Sequence, residues 1–201
     1  AHIINGDKAD IAIVFAVTDA VKRAAGGITA FLVPSDQFRR GPVQWNISDS
    51  HPSELFFEDS WVPDDHVIGE VGMGFLQAMA FLNAGRAFIG AQALGLAEFA
   101  VDATVEHVNS RTAFGRPLSK FQAVSFPLAQ SKAEIEAMRW LVYHLAWSVD
   151  EGNSPMLDAS IVKYYATEKA YEVADRALQA FGGMGLLKEG PIERVLRHLR
   201  M

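Results

Sequence analysis

The sequence predicts an α+β fold, in which a partial antiparallel β domain is followed by an antiparallel four-helix bundle. Over residues 1–68, short runs rich in β-branched side chains alternate with polar turns, and the connections are too short for crossover helices. From residue 69 onward, apolar side chains recur with the period of a helix. We therefore expect a β domain over residues 1–68 and a helical bundle over residues 69–201.

Several strand signals lie in the β-rich part. Residues 9–18 and 28–33 are apolar and β-branched, and Pro34 stops the second run. Further signals cover residues 54–58 and the segment that ends at Trp61-Val62-Pro63. Because short connections join these runs, we expect the strands to pair antiparallel.

Four helices are expected after the β domain. Residues 75–109 contain no proline and are apolar on nearly every face, which is typical of a central helix. The second helix covers residues 121–149 and contains Pro127, which kinks it or marks its first full turn. A third covers residues 157–180, and a fourth begins at Pro191, because proline suits the first position of a helix. The short corners between them indicate an antiparallel bundle.

The composition excludes several classes of function. The chain has 201 residues, a net charge of −6 and no long basic run, so we expect no nucleic-acid partner. It contains no cysteine, which excludes disulfides, thiolate nucleophiles and zinc–cysteine sites. Its six histidines are scattered without the spacing of metal ligands, so we expect no metal site.

The longest apolar stretch, residues 75–103, is interrupted by polar and charged side chains such as Gln77, Arg86 and Glu98. A lipid-exposed helix does not tolerate such interruptions, and we therefore expect no membrane insertion. The lack of cysteine and of a targeting segment favours a cytoplasmic location in a bacterium, or the mitochondrial matrix in a eukaryote.

Two glycine-marked corners interrupt the helices, and the first is Arg111-Thr-Ala-Phe-Gly115. Arg111 ends a helix, and its planar guanidinium group suits a pair of phosphate oxygens. Phe114 is suited to lie against an aromatic ring, and Gly115 lets the backbone turn without a Cβ clash. We expect His107, one helical turn before Arg111, on a solvated helix face.

The second corner is Gln179-Ala-Phe-Gly-Gly-Met-Gly185. Gln179 offers a donor and an acceptor, and the three glycines are expected to expose backbone N–H groups to an anion. When each corner is taken alone, a salt bridge at Arg111 and a plain glycine C-cap explain the two corners as well as a ligand does.

Taken in order, several segments resemble the acyl-CoA dehydrogenase family over essentially the whole chain. The resemblance begins with Asn5-Gly-Asp-Lys8 and continues with Leu55-Phe-Phe-Glu-Asp-Ser-Trp-Val-Pro63 and Gly69-Glu-Val-Gly-Met-Gly-Phe75. The first corner, then Phe121-Gln122, and then the second corner follow in the order and spacing of the family.

The resemblance implies that residues 1–68 are the second half of the family's middle β domain. Residues 69–201 then correspond to its C-terminal helical bundle, truncated at its end. The resemblance also implies an FAD enzyme that removes hydrogen from the α and β carbons of an acyl-CoA thioester. In such enzymes a carboxylate takes the α proton and flavin N5 takes the β hydride.

By motif match, the residues that contact FAD are Arg111, Phe114, Phe121, Gln122, Gln179, Gly182 and Gly183. Arg111 and Phe114 are expected near the diphosphate, with Phe121 and Gln122 along the cofactor. Gln179 and the two glycines are expected to hold the adenosine half across a subunit boundary. Arg111 and Gln179 would thus reach FAD from opposite ends of the bundle.

By the same match, Asn83 and Arg86 contact the acyl-CoA substrate. A site shared between subunits requires a homo-oligomer, and the family is usually a dimer of dimers. The resemblance further implies that electrons leave to a separate electron-transfer acceptor protein.

No catalytic residue is identified within the chain. The family carries its glutamate either just before the arginine of the first bundle helix, where this chain has Gly85, or beyond Arg200. We therefore expect a fragment that lacks the catalytic glutamate. Two alternatives stay open, and Gly85 with Ile4, beside the expected flavin position, motivates the first of them. One is a flavin monooxygenase or nitroalkane-type oxidase on the same scaffold, and the other is a non-catalytic structural subunit.

Overall fold

The computed structural model describes residues 2–47 and 50–200. The chain divides into two compact units, Ala1–Leu82 and Asn83–Met201. The first unit holds most of the strands, and the second holds the helical bundle. The predicted domain boundary between residues 68 and 69 stays a prediction.

Antiparallel strand pairs build the first unit. The strands are β1 (His2–Ile3), β2 (Ile11–Val17), β3 (Ile28–Pro34), β4 (Arg39–Val43), β5 (Ser53–Phe56) and β6 (Val67–Ile68). They form one sheet in the order β1-β5-β4 and another in the order β2-β3-β6. The predicted strands over residues 9–18, 28–33 and 54–58 are present as β2, β3 and β5.

The pairing of β2 with β3 is regular over its whole length. It runs from Ile11 opposite Pro34 to Val17 opposite Ile28. Thr29 and Val33 of β3 are buried on one face of the strand and Ala30 on the other, because successive side chains of a strand point to opposite faces. The sheet is thus organised around β3, the strand with a partner on each side.

The strand prediction for the segment ending at Trp61-Val62-Pro63 is wrong, because residues 61–63 lie outside the strands and Trp61 is 72% exposed. Conversely, β4 was not predicted. It contains Gly41 and Pro42, which usually end a strand. Proline is tolerated in β4 because the strand lies at the edge of its sheet.

Over the described residues, the predicted helices are confirmed to within two residues at their starts and ends. They are α1 (Gly74–Ser110), α2 (Gln122–Asp150), α3 (Met156–Phe181) and α4 (Pro191–Leu199). Pro191 occupies the first turn of α4, and α2 continues through Pro127. Between α1 and α2 the chain forms a small hairpin of β7 (Thr112–Ala113) and β8 (Arg116–Pro117). The α+β fold class is therefore confirmed.

By length and composition alone, α1 is long and apolar enough to cross a membrane. Its residues Ala93, Ala97 and Ala100, however, are buried against side chains of the other helices. A helix at the centre of a bundle is apolar for the same reason. The expectation that the protein does not insert into a membrane stays a prediction.

The helix directions follow from the side chains that meet. A Cβ atom on Gly90 would lie 2.3 Å from Cγ1 of Val162, and Ala100 packs in one cluster with Ala174. Residues later in α1 thus contact residues later in α3, so the two helices run parallel. Consequently α1 and α3 end at the same end of the bundle.

Helix α2 runs in the opposite direction to α3. His144 of α2 approaches Asp158 near the start of α3, with a distance of 3.9 Å between Nε2 and Oδ2. Glu134, earlier in α2, pairs with Arg176 near the end of α3. The start of α2 therefore lies at the bundle end where α1 and α3 terminate.

Candidate functional site

A cleft of about 610 Å³ opens at this end of the bundle. Its walls come from the end of α1, the start of α2, and the end of α3 with the turn that follows. The polar and glycine positions of its lining include His107, Arg111, Gln179, Gly182 and Gly183. A dinucleotide requires both charged and flat apolar contacts, and this lining supplies both.

The cleft brings the two predicted corners together. Arg111, Gln179, Gly182 and Gly183 all line it. The expectation that Arg111 and Gln179 act from opposite ends of the bundle is wrong, because α1 and α3 are parallel and both residues stand near helix ends. One chain therefore carries residues of both corners in the lining of one cleft.

The remaining predicted cofactor residues lie on the adjoining hairpin and helix start, outside the lining of the cleft. Phe114 is 93% exposed at the hairpin tip and has a φ of 51°, a left-handed backbone conformation that is unusual for phenylalanine. Its ring packs edge-on against Phe121, with 6.2 Å between the ring centroids. The Arg116 guanidinium lies 4.1 Å from the Phe121 ring centroid. Phe114 is thus presented outward, on a tip supported by Phe121.

Gln122 is the first residue of α2, and Phe121 is its N-cap. No side chain caps this helix start, while the Phe121 carbonyl accepts the N–H groups of Val124 and Ser125. The positive end of the helix dipole favours an anion. Since Val124 lines the cleft, this end of α2 adds to the positive potential there.

Arg111 is anchored through its backbone and has a free guanidinium group. Its N–H donates to the His107 carbonyl at 2.8 Å, and its carbonyl accepts the Leu118 N–H at 2.9 Å. Within residues 2–47 and 50–200 the guanidinium forms no salt bridge. The salt-bridge explanation of this arginine therefore fails, and its charge is available to an anion in the cleft.

His107 is a member of the site that the sequence analysis missed. It is half-buried in the cleft wall and stacks on Phe181, with 4.1 Å between ring centroids and 11° between the planes. Burial and the neighbouring Arg111 charge lower the pKa of His107. The expectation of a solvated helix face is wrong. The available signal was its spacing of one helical turn from Arg111.

The glycines of the second corner serve three different purposes. Gly182 has φ 60° and ψ −139°, and its N–H donates to the Gln179 carbonyl. The expectation that this N–H is free for an anion is therefore wrong. Gly185 is buried, and a Cβ there would lie 2.6 Å from the Leu178 carbonyl oxygen. Gly183 is exposed, and a Cβ there would meet nothing within 4 Å. The fold itself does not require glycine at position 183.

We expect Gly182→Ala to lower the free energy of unfolding by about 1–3 kcal/mol, because alanine is strained at this backbone conformation. The matched variant Gly183→Ala is expected to change it by less than about 0.5 kcal/mol. Urea denaturation followed by circular dichroism measures both. Equal losses in the two variants would contradict this assignment.

The predicted substrate residues lie elsewhere on α1. Asn83 and Arg86 are half-buried, and Arg86 Nη1 donates to Asn83 Oδ1 at 2.6 Å. From Asn83 to His107 the helix rises by about 36 Å, at about 1.5 Å per residue. The structure therefore does not place this pair at the cleft. At Gly85, between them, a Cβ would meet nothing within 4 Å.

Over the part of the chain that the structure describes, no group of three His, Asp or Glu side chains is placed to hold a metal ion. The cleft instead combines one guanidinium group, an amide, backbone groups and aromatic rings. These are groups that recognise a phosphate-containing organic ligand.

Comparison with known proteins identifies relatives of the chain. The family model described as acyl-CoA dehydrogenase, C-terminal domain, matches residues 72–201. The short-chain specific acyl-CoA dehydrogenase of Megasphaera elsdenii is 43% identical over 203 residues, which cover 99% of this chain and 53% of the relative.

Solved structures give the same result. Butyryl-CoA dehydrogenase of Megasphaera elsdenii superposes with a TM-score of 0.92 at 43% identity, over 99% of this chain and 53% of that one. A chain in a structure described for the electron transferring flavoprotein of Acidaminococcus fermentans gives a TM-score of 0.93 at 40% identity, with 99% and 53% covered. The chain thus spans about half the length of the relatives it matches.

Proposed function

Since the chain belongs to the acyl-CoA dehydrogenase family, we propose that the longer protein containing it catalyses FAD-dependent α,β-dehydrogenation of an acyl-CoA thioester. The observation that carries the proposal is the cleft, which Arg111, without an ion-pair partner among the described residues, lines together with Gln179 and Gly183. Two of the relatives, both of Megasphaera elsdenii, are named as a short-chain specific acyl-CoA dehydrogenase and a butyryl-CoA dehydrogenase. We propose a substrate of the same class.

The residues of the cleft fit the diphosphate and adenosine parts of FAD. Arg111 supplies a charge and a fork of donors for phosphate oxygens, and the start of α2 adds its dipole. Gln179 supplies an amide for a polar edge, and Gly183 lets the ligand approach the backbone closely. When bound, FAD accepts the hydride that leaves the β carbon of the substrate.

We propose that the active site is shared between copies of the chain. The Asn83–Arg86 pair and the cleft are separated by about 36 Å along α1, more than the length of an extended dinucleotide. One chain therefore serves two different FAD molecules, one through its cleft and one through its substrate residues. A homo-oligomer satisfies this geometry, and a dimer of dimers is the proposed form.

Exposed aromatic side chains on the bundle support such an assembly. Phe88 of α1 is 76% exposed, Trp140 of α2 is 72% exposed and Tyr164 of α3 is 71% exposed. Large apolar side chains exposed on several neighbouring helices are typical of an interface that another subunit covers. Phe114 at the hairpin tip is suited to reach beyond its own chain in the same way.

On the substrate side, Asn83 holds the Arg86 guanidinium in one orientation through their hydrogen bond. We propose that this pair orients the acyl-CoA thioester. Gly85 carries no acid, so we propose that the proton-abstracting carboxylate is a glutamate in another part of the longer protein. A separate electron-transfer protein is the proposed electron acceptor, and a bacterial cytoplasm or a mitochondrial matrix is the proposed location.

The test uses the full-length parent protein, purified and mixed anaerobically with butyryl-CoA. We expect a bound flavin whose visible absorbance is bleached by butyryl-CoA and is unchanged by free CoA, the matched control. A protein without flavin contradicts the proposal. A flavin that resists butyryl-CoA but supports NADH-dependent oxygen uptake favours the monooxygenase alternative. A flavin that does neither favours the structural subunit.

A further inference from the structure

His107 lies at the junction between the two corners of the cleft. It is on the last turn of α1, and its carbonyl accepts the Arg111 N–H at 2.8 Å. Its imidazole lies flat on the ring of Phe181, the last residue of α3. The side chain thus links the helix that ends at Arg111 with the turn that carries Gly182 and Gly183.

Phe181 is the last residue of α3, and this turn follows it directly. Its side chain packs against the buried cluster that includes Ala177 and Ile192. One residue later, Gly182 adopts its unusual backbone conformation and donates its N–H to Gln179. The position of the Phe181 ring therefore sets where the backbone of the turn begins.

The imidazole is suited to this role by shape rather than by charge. Burial and the Arg111 charge lower the pKa of His107, which favours the neutral form of the ring. A neutral ring stacked in parallel contributes flat contact area without repelling Arg111. Arg111 is then left as the charged group of the cleft lining.

We propose that His107 is a positioning residue of the cofactor cleft, which acts by holding the Phe181–Gly183 turn in register with Arg111 through the ring stack. This inference rests on the proposed function, because the ligand it concerns is FAD. His107 acts through Phe181 and the turn, and a direct contact with the cofactor is not part of its role.

The test compares His107→Ala with His107→Phe in the full-length parent. Alanine removes the stack, whereas phenylalanine keeps a flat ring and removes the titrating group. We expect the Kd for FAD, measured by flavin fluorescence, to rise about 10-fold in His107→Ala, the loss of one modest aromatic contact. In His107→Phe it is expected to stay within about 3-fold of the wild-type value.

A second readout does not depend on FAD. Amide hydrogen exchange of a peptide spanning residues 178–187 in the apoprotein is expected to accelerate in His107→Ala and to recover in His107→Phe. Phe181→Leu, which removes the stack from the other side, is expected to reproduce the alanine result. The His107→Ala/Phe181→Leu double variant is expected to be no worse than either single one, since both remove the same contact.

The two proposals fail in different ways. A wild-type protein that binds no FAD overturns the proposed function, and the exchange measurement still decides the role of His107. Unchanged exchange in His107→Ala overturns the positioning role. Where the wild-type protein binds FAD, an unchanged FAD affinity in His107→Ala overturns it as well. A His107→Phe variant as impaired as His107→Ala overturns it too.

Discussion

Replacing Arg111 with methionine is expected to weaken FAD binding about 100-fold, because a charge-assisted hydrogen bond to phosphate contributes about 1.5–3 kcal/mol. Arg111 has no carboxylate partner within the described residues, so the substitution leaves no unpaired acid behind. The methionine side chain retains much of the apolar contact area. The loss should therefore appear in cofactor affinity and not in fold stability.

Lys120→Met is the matched control for Arg111→Met. It removes the same charge from an exposed position between the hairpin and α2, outside the lining of the cleft. We expect FAD affinity to change by less than about 3-fold in this variant, since an exposed charge outside the cleft is largely screened. Fluorescence titration of the apoprotein with FAD measures both, and equal losses would show that Arg111 acts only through net charge.

Replacing Arg176 with methionine is expected to lower the free energy of unfolding by about 2 kcal/mol, because the poorly solvated Glu134 carboxylate loses its charge-assisted hydrogen bond. It then keeps only the longer ion pair with Lys169, with 3.8 Å between Nζ and Oε1. Arg176 of α3 pairs with Glu134 of α2, and the two side chains are 18% and 14% exposed. Gln130 also donates to Glu134, at 3.1 Å. This pair joins the start of α2 to the end of α3, the elements that carry the cleft.

The control for this pair is Lys132→Met. Lys132 and Glu136 form a 3.1 Å ion pair on the exposed face of α2, where they are 61% and 45% exposed. Such a surface pair contributes about 0.2–1 kcal/mol, and we expect a correspondingly small loss. Urea denaturation measures both variants. The double variant Glu134→Leu/Arg176→Met is expected to regain most of the stability, since no charge is then left buried.

The effect of Arg176→Met is also expected to depend on pH. Burial raises the pKa of Glu134, but hydrogen bonds from Arg176 and Gln130, with the nearby charges, bring it below the ordinary 4.5. A carboxyl group with a lowered pKa stabilises the fold above its unfolded pKa, and this stability is lost as pH falls through the folded pKa. The difference between wild type and Arg176→Met should therefore shrink below pH 4.5. A constant difference down to pH 3 would contradict this.

The helices could be predicted from the sequence because their signals are local. Three signals each act on residues close by in the sequence: the period of apolar side chains, Pro191 at a helix start and the glycines after α3. The strand β4 could not be predicted in this way. Its Gly41-Pro42 pair opposes a strand locally, and the strand exists because β5 lies beside it.

The sequence predicted which residues belong to the candidate site, but it did not predict how they are arranged in space. In an antiparallel bundle the first and third helices run parallel, so the ends of α1 and α3 lie together. The expectation that Arg111 and Gln179 lie at opposite ends of the bundle did not take this into account. His107 was missed because its partner, Phe181, is far away in sequence. The prediction that the Gly182 N–H is free for an anion was wrong because this group donates to the Gln179 carbonyl. That hydrogen bond depends on the geometry of the folded turn.

The sequence by itself determined the fold class, the bounds of the helices and the residue types at the two corners, since these depend on spacing between near neighbours. Only the tertiary structure decided that both corners line one cleft and that His107 stacks on Phe181. It also showed that Arg111 has no ion-pair partner among residues 2–47 and 50–200. It also separated the Asn83–Arg86 pair from the cleft by about 36 Å along α1. These features arise from packing between helices, which brings together residues that no local pattern connects.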